Sequence, residues 1–75
     1  MGKLRILSGL EVCSILGSHG FHEVRRRGSH CIMQKRAGNG TITVPILLHP
    51  ELRRGTLLSV IRQSGVPRES FESNA

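Results

Sequence analysis

The chain has 75 residues, enough for one small domain, and with two Phe, no Trp and no Tyr its core must be built from Leu, Ile and Val. Eleven Lys and Arg against five Asp and Glu leave a net charge of +6, which points to a polyanionic partner such as nucleic acid, an acidic protein or an anionic surface. No apolar run is long enough to span a bilayer and no signal-peptide pattern is visible, so a cytoplasmic protein whose two cysteines, Cys13 and Cys31, stay reduced is expected.

In chain order, Ser8-Gly9-Leu10-Glu11 has the form of a capping box, with Leu7 and Val12 at the hydrophobic-staple positions. Val12, Ile15 and Leu16 follow at helical spacing, and the spacing predicts a helix over 9–19 that stops at Gly20 with Phe21 folded back on Leu16. Three strands are predicted next. They run from Phe21 to Arg26, from His30 to Arg36 and from Thr41 to Ile46, with a turn at Gly28-Ser29 and another at Ala37 to Gly40. Asn39-Gly40 is the stronger hairpin signal, and Pro45 suits a strand end or an edge. After a connection over 46–55, a second helix is predicted from Thr56 to Ser64, ended by Gly65 and followed by Pro67. Residues 67–71 add a short turn, and 72–75 form a frayed tail.

The predicted order is α-β-β-β-α, a single α+β domain over residues 1–75 with its core at about 8–71. Helices at both ends of an antiparallel meander can share one face of the sheet and leave the other for a partner, as in double-stranded-RNA-binding domains. Order alone does not assign function.

The stretch Arg25-Arg26-Arg27-Gly28-Ser29-His30 is the candidate for chemistry. Nine of the eleven cations are Arg, the side chain suited to forked phosphate contacts, and only Glu51 offsets the seven cations between Val24 and Arg54. An imidazole serves as acid or base near neutral pH. RNA carries its own nucleophile in the 2′-hydroxyl, so a proton acceptor beside a cationic phosphate clamp suffices for cleavage. Spacing alone leaves His30 as that base or as a polar residue at a strand end. It likewise leaves the arginines as an RNA-binding face or as a solvated edge guarded against aggregation. The phosphate-contact candidates are Arg25, Arg26, Arg27, Lys35 and Arg36, with Ser29 as a hydrogen-bond donor. Lacking aromatics, the face is not expected to stack single-stranded bases. His19 and His22 have no Cys-x-x-Cys beside them, so no metal or other cofactor is expected, and His49 receives no role.

The chain resembles the HicA toxins of bacterial toxin–antitoxin pairs over residues 8–71. The resemblance rests on His19-Gly20-Phe21, on Arg25 with Gly28-Ser29-His30, on Thr43-Val44-Pro45, and on the run from Gly55-Thr56-Leu57 through Ile61-Arg62-Gln63 to Gly65. It implies a double-stranded-RNA-binding-like fold, a metal-independent endoribonuclease that cleaves mRNA, His30 as the catalytic histidine, and a HicB-type antitoxin that covers this histidine in a hetero-oligomer. A non-catalytic RNA-binding module using the same basic face is the alternative. One departure stands out. The family often places a histidine two residues after Val-Pro, whereas here Ile46-Leu47-Leu48 precedes His49.

Overall fold

A computed structural model describes residues 2–73. Its elements are β1 (Lys3–Leu4), α1 (Gly9–Ser18), β2 (His22–Arg27), β3 (His30–Ala37), β4 (Gly40–Leu47), α2 (Arg54–Ser64), a 3-10 turn (Arg68–Phe71) and β5 (Glu72–Ser73). The fold is α+β, with β2, β3 and β4 forming an antiparallel sheet in that order.

The predicted start of α1 is present in full. The Ser8 N–H donates to Glu11 Oε1 at 2.8 Å and the Glu11 N–H donates to Ser8 Oγ at 3.1 Å, while Leu7 and Val12 are buried together in the core. The stop is equally complete. The Phe21 N–H reaches the Leu16 carbonyl at 3.1 Å and the Gly20 N–H reaches that of Gly17 at 3.1 Å, the paired bonds of a Schellman motif. α2 ends where Gly65 donates to the Ile61 carbonyl at 3.2 Å.

Both helices lie on one face of the sheet. Val12 and Leu16 of α1 and Leu57 and Val60 of α2 share a core with Cys31, Met33, Val44 and Ile46, the alternate residues of β3 and β4. α2 lies along β4. Gly9 is buried where α1 begins, and a Cβ there would collide with the Leu47 carbonyl oxygen. This close approach ties α1 to the end of β4, with the Gly9 N–H bonded to the His49 carbonyl at 2.9 Å.

Two details depart from the sequence expectations. The β3–β4 loop is Gly38-Asn39, because Ala37 pairs with Gly40. A glycine at φ +57 followed by a residue at negative φ has the sign pattern of a type II′ turn, so Gly38, and not the Asn39-Gly40 pair, sets the register. The tail does not fray at Glu72–Ser73. These residues pair with Lys3–Leu4, and Arg68 Nε bonds Glu72 Oε2 at 2.7 Å. Residues 74 and 75 of the expected tail lie outside the described residues. Pro45 stands within β4 opposite Ile32 and not at its end, which the edge position of that strand allows. Among the described residues no helix is long and apolar enough to cross a membrane.

Candidate functional site

The β2–β3 hairpin builds the site. Gly28, at φ +57, and Ser29 form its two-residue loop, and the closing pair is Arg27 with His30. His30 therefore opens β3, the central strand, with Arg27 directly across on one side and Leu47 on the other. The Ser29 carbonyl accepts the Leu48 N–H at 2.6 Å, which fastens the hairpin tip to the chain leaving β4. The imidazole itself is exposed. A backbone held on both flanks with a solvent-facing side chain is what positioning of a reacting group requires.

Alternation along the strands sorts the candidate residues between two faces. Arg25 and Arg27 pair with Ile32 and His30 and share their face, turned away from the helices, where the four line an open groove of about 370 Å³. Among the described residues neither arginine has an ion-pair partner. Arg26 pairs with Cys31 and so faces the helices, where its guanidinium donates to Glu23 Oε1 at 2.7 Å. A bulge between Glu23 and Arg25 shifts the register and brings Glu23 onto this face. Bonds from Arg26 and from the Cys31 thiol hold the Glu23 carboxyl below the usual carboxylate range. Lys35 also faces the helices, with its ammonium 5.8 Å from the centre of the Phe21 ring. Arg36 shares the face of His30 but lies six residues along β3, about 20 Å away at strand rise. The structure thus brings Arg25, Arg27, Ser29 and His30 together, sets Arg36 at the far end of the same face, and puts Arg26 and Lys35 on the other.

The remaining histidines and the thiols do not join this group. His19 Nε2 lies 3.0 Å from Ser70 Oγ, linking the end of α1 to the 3-10 turn. His49 contributes its carbonyl to Gly9. His22 pairs with Gln34 at the opposite end of β2. Cys31 follows His30 but points into the core, where burial pushes its thiol up to about 12, so it stays protonated and unreactive. Among the described residues no three side chains of the metal-ligating types come together.

A second groove, of about 420 Å³, opens on the other side of His30. Pro45, Leu47 and Val60 form its apolar floor, and Thr56, Ser59 and Gln63 of α2 form its polar rim. Sequence reasoning missed these residues. The signal was there, because Thr56, Ser59 and Gln63 recur at i, i+3 and i+7 and so make a polar stripe beside the buried Leu57 and Val60.

Residues 9–66 match the family model described as the HicA toxin of bacterial toxin–antitoxin systems. No curated protein matches the chain closely enough to serve as a relative. With the matched segment running from the first residue of α1 to just past the end of α2, and so spanning the whole sheet and the hairpin that carries His30, the chain belongs to the HicA toxin family.

Proposed function

We propose that this toxin is a metal-independent endoribonuclease acting on mRNA, with His30 as general base. The observation that carries the reading is the placement of His30, exposed on a rigid central strand in the wall of a groove whose cations, Arg25 and Arg27, are engaged by no carboxylate among the described residues.

The chemistry is as follows. His30 accepts the proton of a ribose 2′-hydroxyl, and O2′ attacks the adjacent phosphorus. The bond from phosphorus to O5′ breaks, leaving a 2′,3′-cyclic phosphate and a 5′-hydroxyl. O5′ takes a proton from the protonated His30, either directly or through a water molecule that His30 reprotonates, so that His30 returns to its neutral form. Arg25 and Arg27 stabilise the negative charge that builds on the phosphoryl oxygens. Ser29, at the tip of the hairpin, offers a further hydrogen bond to the backbone, and Arg36 contacts a phosphate farther along the strand. DNA lacks the 2′-hydroxyl and is not a substrate. The neutralising partner is a HicB-type antitoxin that covers His30 and offers carboxylates to the same arginines.

The test pairs expression in bacteria with a purified reaction. Wild type arrests growth and degrades mRNA, and His30→Ala does neither. Cleavage in vitro persists in EDTA and leaves cyclic-phosphate ends. Equal toxicity of the two proteins, or RNA binding with no product, would sink the assignment.

A further inference from the structure

The groove between β4 and α2 carries an inference that the phosphate chemistry does not require. His30 separates two grooves of similar size and opposite character. One is lined by Arg25 and Arg27. The other has an apolar floor with an amide and two hydroxyls on its rim, and its nearest arginine, Arg62, touches only the rim, where its guanidinium donates to Ser59 Oγ at 3.4 Å. An anionic phosphate entering the second groove would lose water against its apolar floor, with Arg62 beside Ser59 as a cation only at the rim. A flat, neutral ring with donors and acceptors on its edge meets apolar surface below and hydrogen-bonding groups beside it.

We propose that the α2-side groove is a nucleobase subsite, which takes the base of one of the two nucleotides flanking the scissile phosphate while the sugar–phosphate chain runs over Arg25 and Arg27. This rests on the ribonuclease reading of His30. Pro45, Leu47 and Val60 supply the surface for one face of the ring, in a protein with no Tyr or Trp to stack on it. Gln63 reads the edge. Its Nε2 donates one hydrogen to Ser59 Oγ at 2.8 Å, which orients the amide and leaves Oε1 and the second amide hydrogen for a base. A side-chain amide in this state can make a paired acceptor-and-donor contact to a base edge. Ser59 is a positioning residue in this scheme, acting through Gln63, and Thr56 closes the rim. The toxin would then select its cleavage sites by base identity as well as by the presence of a 2′-hydroxyl.

The experiment uses the full chain and 2′-O-methyl RNA strands that contain a single ribonucleotide, so that cleavage can occur at one place only. The bases on either side of that phosphate are varied one at a time. Wild type is expected to discriminate among bases at one of the two positions by about tenfold, and Gln63→Leu to lose most of that discrimination. Ser59→Ala is expected to lose part of it. Binding of a fully 2′-O-methylated strand provides the second readout. Removing the base at the selected position weakens wild-type binding by about tenfold and leaves Gln63→Leu binding nearly unaltered. Equal rates for all bases, an unaltered preference in Gln63→Leu, or no response to base removal would overturn the subsite. If His30-dependent cleavage persists in that case, the ribonuclease reading stands alone. Base-dependent binding with no cleavage of any strand would overturn the ribonuclease reading and leave the subsite in place. Thermal melts of the variants separate lost selectivity from lost folding.

Discussion

Arg25, Arg26 and Arg27 are neighbours in one strand, yet the two faces of the sheet treat them differently. On the helix side, Arg26 is held by Glu23, and Lys35 lies over Phe21 above a packed core. On the other side, Arg25 and Arg27 line an open groove with His30. A run of three cations is therefore not three equivalent contacts. The strand period of two puts Arg25 and Arg27 beside His30 on the open face and leaves Arg26 paired with Glu23 on the helix face.

The contrast breaks most sharply at its two extremes. His30→Ala should lower RNA cleavage by about a hundredfold or more, the usual contribution of a positioned general base, with no loss of thermal stability because the side chain is exposed. Leu16→Ala, a deletion in a fully buried side chain of α1, should cost about 2–5 kcal/mol of stability in urea titrations. For a domain this small that is a large share of the total. At temperatures where the variant remains folded, it should cleave at close to the wild-type rate. If His30→Ala unfolds the protein, or Leu16→Ala abolishes cleavage while folded, the division of labour between the faces is wrong.

A smaller effect sharpens the same division among the cations. The double change Arg25→Gln with Arg27→Gln should weaken RNA binding and reduce the slope of log affinity against log salt by about 1.4, or about 0.7 for each phosphate contact on a single strand. The double change Arg26→Gln with Lys35→Gln removes the same formal charge and should leave most of the slope intact. Equal slopes for the two variants would mean that net charge, and not face, governs binding.

The fold was legible wherever the signal was local. Ser8 and Glu11 announce a helix start by a mechanism complete within four residues, and Gly20 with Phe21 announces its end in the same way. The register of β3 against β4 was less legible, because Gly38-Asn39 and Asn39-Gly40 are both acceptable turns when read alone and only the pairing of the whole strands chooses between them. The strand at Glu72–Ser73 could not be read, because its partner, Lys3–Leu4, lies at the opposite end of the chain. The site divides along the same line. His30 and its cationic neighbours are contiguous in sequence. The Arg26–Glu23 pair depends on the bulge between Glu23 and Arg25, which puts both side chains on one face, and the α2 groove depends on a helix more than twenty residues away docking beside β4.

The smallest expected effect concerns Glu23, the carboxylate paired with Arg26 on the helix face. Its hydrogen bonds from Arg26 and from the Cys31 thiol hold its folded-state titration below the ordinary carboxylate value. A carboxyl lowered in this way adds stability that is present above its unfolded value, about 4.3, and is lost as pH falls through the folded one. Wild type should therefore exceed Glu23→Gln in urea resistance at pH 7 by a modest margin, since the pair is exposed, and the margin should shrink and close as the pH is lowered below the ordinary carboxylate range. The same variant adds one unit of positive charge and frees a guanidinium, but on the helix side of the sheet. RNA affinity should rise only slightly at moderate salt. A rise as large as the loss caused by removing Arg25 or Arg27 would show that Arg26 can reach the RNA once released, and that the two faces are separated by the Glu23 contact and not by the strand itself.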